Sequence, residues 1–259
     1  MKTKKLGQTG GSGLEYDFIY GLNPVLEALK AGRNIKEIFL STSRTVSPEI
    51  IKIEKEAGNK NISIKWIGKD FYSRFPKGHQ GVAAKVLPKT YIELDELLQI
   101  PSKKKEMPFF IVLDCIEDPR NFGAIIRVAD AAGAHGIVIQ SYRSVNLSSE
   151  VSKTSAGAVE YVPISKVVNI KHAIEEMKKR EITIIGAEVG WGKLIWDVDL
   201  SGPIAIVIGS EGKGLRKTVR ENCDIITNLP MKGRINSLNI SVATGIFAFE
   251  ILRKRCKNI

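Results

Sequence analysis

From residue 17 onward the apolar positions fall into alternating helical and extended periods. Asn23 followed by Pro24, with Val25, Leu26 and Leu29 at helical spacing, predicts a helix capped by Asn23 and ended near Gly32. The run at 36–41 (KEIFLS) predicts a strand. Ser47 and Pro48 repeat the cap signature for a second helix ending at Gly58, and the runs 62–67 and 81–87 predict further strands. Helix and strand thus alternate over about 70 residues, the pattern of a small α/β domain.

Downstream, the stretch between Pro88 and Pro108 holds a third proline, Pro101, and the basic run Lys103, Lys104, Lys105, which predicts a linker. Beyond it the runs 109–115, 136–140, 182–187 and 204–209 are nearly unbroken in apolar residues. Such runs suit strands covered by helices on both faces, and hence a parallel sheet. A last helix is expected over 237–255, with Ile246, Phe249, Ile251 and Leu252 at helical spacing and Arg253, Lys254 and Arg255 at its C-terminal end. The pattern shows no internal repeat. Residues 1–16 are polar, with Gly10, Gly11 and Gly13 around Ser12, and read as a flexible tail.

Charge narrows the partners. Across 259 residues, 39 Lys and Arg against 28 Asp and Glu give a formal net charge of +11, which favours polyanions through counterion release and steered encounter. No stretch approaches the roughly 18 apolar residues that would span a bilayer, and the basic start has no apolar run behind it. The three cysteines, Cys115, Cys223 and Cys256, are far apart, with no C-x-x-C pair, and His79, His135 and His172 are scattered. A soluble, cytoplasmic protein without a metal site is expected, with no membrane partner.

Three segments carry candidate chemistry. Residues 117–133 (EDPRNFGAIIRVADAAG) follow a strand with an acidic, Pro-containing turn and a helix of small residues starting near Asn121. Ala124, Ala129, Ala131 and Ala132 permit close helix packing, and Arg127 lies within two turns of Asn121; alternatively the pair is a surface Arg beside a capping Asn. Residues 209–215 (GSEGKGL) form a Gly-rich turn after an apolar strand. Its spacing matches neither the dinucleotide fingerprint nor a phosphate-binding loop. Residues 228–245 (NLPMKGRINSLNISVATG) hold an irregular stretch around Pro230 and Gly233 before Ser237, where Ser237 and Asn239 would ordinarily be caps.

Together and in this order, the three segments resemble the signature motifs of the SpoU/TrmH RNA 2'-O-ribose methyltransferases of the SPOUT class, over roughly residues 108–257. The block at about 17–90, with YGLNPVLEAL and HQGVAA, resembles the ribosomal-protein-like substrate-binding domain fused to many of them. The resemblance implies a fold of the α/β class: a small RNA-binding α/β domain (17–90), a linker (91–107) and a SPOUT-type domain (108–259) with a parallel sheet and a deep trefoil knot. It implies S-adenosyl-L-methionine as cofactor, contacted near Ala187, Glu188, Gly209, Leu229, Met231 and Leu238. The catalytic set it implies is Arg127 and Asn121 from the first motif, Glu211 from the second, and Ser237 and Asn239 from the third.

The same resemblance implies a homodimer through the knotted domain, by way of the helix 121–132 and the C-terminal helix, and RNA as substrate, with a guanosine of 23S rRNA ahead of transfer RNA. DNA is not an expected partner, because the 2'-hydroxyl is what distinguishes RNA. The rival readings are a non-catalytic RNA-binding assembly factor on the same fold, a nucleotide-dependent oxidoreductase, which lacks its fingerprint, and a membrane-surface protein, which lacks a separate basic amphipathic helix.

Overall fold

The computed structural model describes residues 15–235 and 237–256; the tail expected at 1–16 lies almost wholly outside them. The chain runs β1 (Asp17–Tyr20), α1 (Leu22–Lys30), β2 (Ile35–Ser41), α2 (Pro48–Asn59), β3 (Ser63–Ile67), a 3-10 turn (Lys69–Arg74) and β4 (Val82–Val86). These strands form one sheet in the order β1-β4-β2-β3, with β2 and β3 parallel and the other pairs antiparallel.

Side chains on successive strand positions point to opposite faces. Ile38, Leu40, Val82 and Ala84 therefore meet α1 and α2 through Val25, Leu29, Ile50 and Ile53. Tyr20, Phe39 and Ala83 face the other way, against Phe71 and Tyr72 of the 3-10 turn and Phe75 just after it. The Arg74 guanidinium lies 3.9 Å from the Phe71 ring centroid and lids this aromatic layer.

Two details differ from the sequence pattern. Helix α1 starts at Leu22, not after Asn23: its cap is Gly21, with φ of 101°, a conformation open to glycine alone among common residues. Ser47 does sit at the N-cap of α2, but its hydroxyl goes to the Glu49 carboxylate (2.8 Å) instead of capping a backbone N–H.

The expected linker is mostly helix. Residues Leu94–Lys104 form α3, which carries Pro101 internally and buries Leu97 and Leu98 against the second sheet. The fit is tight, since a Cβ on Gly136 would lie 2.2 Å from the Leu97 side chain. A cut near residue 106 would therefore uncover core, and the proline and lysine run that predicted a linker belong to a packed helix and its C-terminal end.

The second sheet is built from β5 (Phe109–Leu113), α4 (Pro119–Ala131), β6 (Gly136–Gln140), α5 (Ser149–Thr154), β7 (Ile164–Val167), α6 (Ile170–Lys178), β8 (Thr183–Ala187), β9 (Lys193–Leu194), β10 (Ile204–Ile208), α7 (Lys217–Arg220), β11 (Ile225–Asn228) and α8 (Ile240–Arg255). Its order is β7-β6-β5-β10-β8-β11-β9, with every pair parallel. Phe109, Ile111 and Leu113 of β5 pack against α4 and α8 on one face, and Phe110 and Val112 against α3 and α6 on the other. The central strands are consequently apolar throughout.

Helix α8 begins at Ile240 rather than Ser237, with Asn239 as its cap. Its buried stripe is Ile240, Thr244, Phe247, Ala248 and Ile251, whereas Phe249 is 47% exposed. The basic last turn is as expected, and Arg255 donates to the carbonyls of Met107 and Pro108, tying the helix end to the start of β5.

The two sheets meet through polar side chains. Arg33, just after α1, donates to the Leu87 carbonyl and pairs at 2.7 Å with Glu160, whose nearly buried carboxylate also faces Lys89. Tyr161 donates to Glu27 at 2.7 Å, and Lys153 of α5 reaches Gln80. No helix among the described residues is long and apolar enough to cross a membrane.

Candidate active site

β5 is flanked by β6 on one side and β10 on the other, so the chain departs in opposite directions from adjacent strands. A crevice opens at the carboxyl ends of such strands. Into it β10 delivers the Gly-rich loop 209–215. That loop closes on itself through Ser210 N–H to the Gly214 carbonyl (3.1 Å) and Gly214 N–H to the Ser210 carbonyl (3.0 Å). A Cβ on Gly209 would lie 2.2 Å from the Gly214 carbonyl carbon, so this closure requires glycine. The Glu188 carboxylate, at the end of β8, accepts from the Leu215 N–H at 3.1 Å and braces the loop from below.

The loop lines a cavity of about 350 Å³ together with Ala187, Leu229, Met231, Leu238 and Phe247. All six residues expected near a cofactor (Ala187, Glu188, Gly209, Leu229, Met231 and Leu238) line this one cavity, and so do Glu211 and Ser237. Its floor is apolar, from Ile208, Ile240, Ala243 and Phe247. Asn228 pins the neighbouring wall by donating to the Trp191 carbonyl at 3.0 Å.

Two helix N-termini converge at the rim. Asp118 caps α4 by accepting from Arg120 N–H at 2.9 Å, with Pro119 at the first helical position. Asn121 follows one turn in, so it is not the cap. Its amide donates to Glu211 at 3.3 Å and accepts from the Asn239 amide at 2.9 Å. Asn239 in turn caps α8, its Oδ1 accepting from the N–H groups of Ser241 and Val242. One residue from each motif is thereby joined in a single hydrogen-bonded chain.

Arg127 stands apart. It is exposed on α4, in a shallow hollow between α4 and α8 lined by Ala124, Val128, Gly245 and Phe249, and makes no hydrogen bond or ion pair among the described residues. Six helical residues turn through about 600°, so Arg127 projects from a different side of α4 than Asn121.

Several site residues escaped the sequence pattern. Asp114, fully buried at the end of β5, accepts from the Arg216 backbone N–H (3.0 Å) and Nε (2.7 Å), while Arg216 Nη2 also reaches Gln140. Burial opposes the Arg216 charge, yet the Asp114 hydrogen bond and charge raise its pKa above the ordinary guanidinium value. Asp114 was the readable signal: an acid ending an unbroken apolar strand. Cys115 beside it has φ of 62°, and burial, then the Asp114 carboxylate, push its thiol up, which leaves it protonated and a poor nucleophile. No group of three or more His, Cys, Asp or Glu side chains among the described residues is placed to hold a metal ion.

The fold and crevice define an α/β enzyme with a loop-built small-molecule cavity at the strand ends. Residues 108–249 match the SpoU rRNA Methylase family, and residues 18–92 match the RNA 2'-O ribose methyltransferase substrate-binding domain. The chain therefore belongs to the SpoU methylase family, and its class is that of the RNA 2'-O-ribose methyltransferases. A TrmH family tRNA/rRNA methyltransferase of Bacillus subtilis, YacO, is 41% identical over 244 residues, covering 93% of this chain and 97% of that one. Its namesakes in Staphylococcus aureus are 36% identical over 245 residues, covering 93% and 98%. Among solved structures, the SpoU methyltransferase AviRb of Streptomyces viridochromogenes in complex with AdoMet superposes with a TM-score of 0.77 at 23% identity, covering 94% of this chain and 92% of that one. An AdoMet-bound rRNA methyltransferase of Sinorhizobium meliloti gives 0.72 at 24%, covering 92% and 87%. At those identities the likeness is one of fold.

Proposed function

We propose that this protein transfers a methyl group from S-adenosylmethionine to the ribose 2'-hydroxyl of a guanosine in 23S rRNA, working in the cytoplasm as a homodimer with a knotted C-terminal domain. The observation that carries the reading is the Glu211–Asn121–Asn239 chain at the rim of the 350 Å³ cavity. That volume lies within the range of about 300–1,000 Å³ usual for small-molecule pockets, and an apolar floor with few polar groups suits an adenine ring and a methylsulfonium. The cavity residues Ala187, Gly209, Leu229, Met231 and Leu238 would hold the cofactor, with Glu188 keeping the Gly-rich loop closed around it.

S-adenosylmethionine supplies, when bound, a methyl carbon open to in-line displacement. What the protein adds is positioning, worth several kcal/mol when reacting groups are held in line. Asn121, Glu211, Ser237 and Asn239 orient the ribose. The role of the Arg127 guanidinium is to stabilise the 2'-oxygen as negative charge develops and to hold a neighbouring phosphate, and because it lies on the α4/α8 face away from Asn121, it acts across the proposed dimer interface. Water or that phosphate takes the proton.

The homodimer is supported by the hollow that holds Arg127, where Val242 and Phe249 are 51% and 47% exposed beside the small residues Ala124 and Gly245. The knot is supported by the strand order, with β10 inserted between β5 and β8, and by α8 returning from the β11 side to pack on α4. The net charge of +11 and the substrate-binding domain support an RNA substrate. Mapping 2'-O-methyl positions in total RNA with and without the gene tests the reading. Loss of one guanosine site in 23S rRNA is expected; loss of a transfer RNA site would transfer the assignment to that substrate, and an unchanged map would refute it.

A further inference from the structure

A second hollow, of about 520 Å³, adjoins the cofactor cavity across the Gly-rich loop and shares Ser210, Glu211, Lys213, Gly214 and Ile240 with it. Three cations face it from three elements: Arg143 after β6, Lys213 in the loop, and Arg216 ahead of α7. Asp114 and Gln140 fix Arg216 Nε and Nη2, which leaves Nη1 without a partner among the described residues. Lys213 and Arg143 are exposed and make no ion pair among the described residues. Glu117, Asp118 and Glu211 also line the hollow: Asp118 accepts from Arg120 N–H in capping α4 and Glu211 accepts from Asn121, while Glu117 is exposed and makes no hydrogen bond or ion pair among the described residues.

The loop bearing Arg143 is braced on both sides. Ser141 N–H donates to the Val167 carbonyl (2.8 Å), Val145 N–H to the Ile116 carbonyl (3.0 Å), and Ser144 Oγ to the Gln140 carbonyl. At its tip Arg143 holds φ of 55°, uncommon for a residue with a side chain, and Tyr142 is 70% exposed with the Arg143 guanidinium 5.6 Å from its ring centroid. An exposed aromatic with cations beside it, on a pre-shaped loop, is the arrangement that stacks an unpaired base and follows a phosphate backbone.

We propose that this hollow and the loop beside it form a clamp for single-stranded RNA next to the methylated nucleotide, in which Tyr142, on the loop just outside the hollow's lining, stacks on a base while Arg143, Lys213 and Arg216 hold phosphates. The proposal rests on the reading of the chain as an RNA methyltransferase and adds where the strand lies and which state of the RNA it accepts.

The test uses the full-length protein and a fluorescein-labelled single-stranded RNA oligomer, with its duplex as comparison, titrated by anisotropy from roughly 50 to 200 mM salt. Tyr142→Ala is expected to weaken single-strand binding about tenfold with an unchanged salt slope, and Tyr142→Phe to restore it. Arg143→Ala and Lys213→Ala should each lower the salt slope by about one. Duplex binding should respond much less to Tyr142→Ala. Arg216 is left intact, because its loss would strand Asp114 as an unpaired buried charge. Thermal midpoints of the variants should match the parent, since the three substituted side chains are exposed.

Wild-type affinity in Tyr142→Ala, or an unchanged slope in both cation variants, would overturn the clamp. Calorimetric titration of the same proteins with S-adenosylmethionine keeps the two ideas apart. If the parent failed to bind the cofactor, the methyl-transfer reading would fall while the RNA titrations still decided the clamp.

Discussion

Asn239 serves two ends of one side chain, and substitution can separate them. Its Oδ1 caps the 16-residue α8 through Ser241 and Val242 N–H, and its Nδ2 donates to Asn121 at 2.9 Å. Asn239→Ala removes both functions, and loss of a cap costs about 1–2 kcal/mol. For a chain of this size that lowers the thermal midpoint by roughly 2–8 °C. Asn239→Asp keeps the cap, since aspartate caps as well as asparagine, and its charge at a helix N-terminus is favourable by about 0.3–1 kcal/mol. An aspartate cannot donate to Asn121, however. If the Asn121 amide turned to donate to it, Asn121 Oδ1 would face the Glu211 carboxylate instead, so one link is lost in either orientation. A hydrogen bond involving a charged group is worth about 1.5–3 kcal/mol, which corresponds to a rate loss of roughly 10- to 150-fold. Single-turnover methyl transfer at saturating RNA and cofactor, measured beside thermal unfolding, should therefore find Asn239→Asp stable but slow and Asn239→Ala both unstable and slow. A stable Asn239→Asp with the parental rate would show that the link to Asn121 has no part in the reaction. An Asn239→Asp as unstable as Asn239→Ala would refute the capping argument.

Arg127→Ala is expected to abolish methyl transfer while calorimetry finds S-adenosylmethionine affinity and stability nearly intact, and Arg127→Lys, which lacks the planar fork, should be severely impaired too. Gly209→Ala forces a methyl to within 2.2 Å of the Gly214 carbonyl carbon, so the loop must open, and calorimetry should find cofactor binding weakened by about tenfold or more. Phe249→Asp places a charge on the exposed α4/α8 face and should shift sedimentation from dimer to monomer. His135 gives a pH dependence. Burial holds its pKa below the ordinary 6.5, its Nδ1 accepts from Phe109 N–H (3.1 Å), and Nε2 faces Glu106. The unfolded chain binds that proton more readily, so the stability His135 contributes is present above its ordinary pKa and is lost as pH falls below about 6.5. Urea midpoints should fall with pH across that window in the parent and fall less in His135→Gln.

Much of the fold was legible because it depends on local periodicity. The unbroken apolar runs of β5, β6, β8 and β10 announced a covered parallel sheet, and Pro48 marked a helix start that the structure contains, whereas the last helix begins at Ile240 and not at the expected Ser237. The short strands β1, β7, β9 and β11 were not legible, because two to four residues carry too little pattern to separate strand from loop. Helix α3 was hidden by Pro101 and three lysines, although its first turn already presents Leu94, Leu97 and Leu98 to a core. Lys103 and Lys104 sit in the last turn, where they complement the helix dipole, and Lys105 is the C-cap.

The sequence by itself determined which chemistry is carried: the three motifs hold asparagines, carboxylates and a Gly-rich turn, the chain as a whole carries a cationic excess, and residue identity is local information. Tertiary structure alone decided which of these meet. Asn121 and Asn239 are 118 positions apart and Asn121 and Glu211 are 90, and only the insertion of β10 beside β5 and the docking of α8 on α4 bring them within hydrogen-bonding distance. Helix α8 shows the same division. It is apolar nearly all round, so its sequence permits several faces to be buried, and packing against α4 and the sheet chose Phe247 and Ile251 for the core and left Phe249 outside. Arg127 shares a motif with Asn121, yet the helical turn between them sends it to another surface. Proximity along a chain is set by covalent bonds, whereas convergence in space is set by which apolar surfaces can be covered together, and no single segment contains that answer.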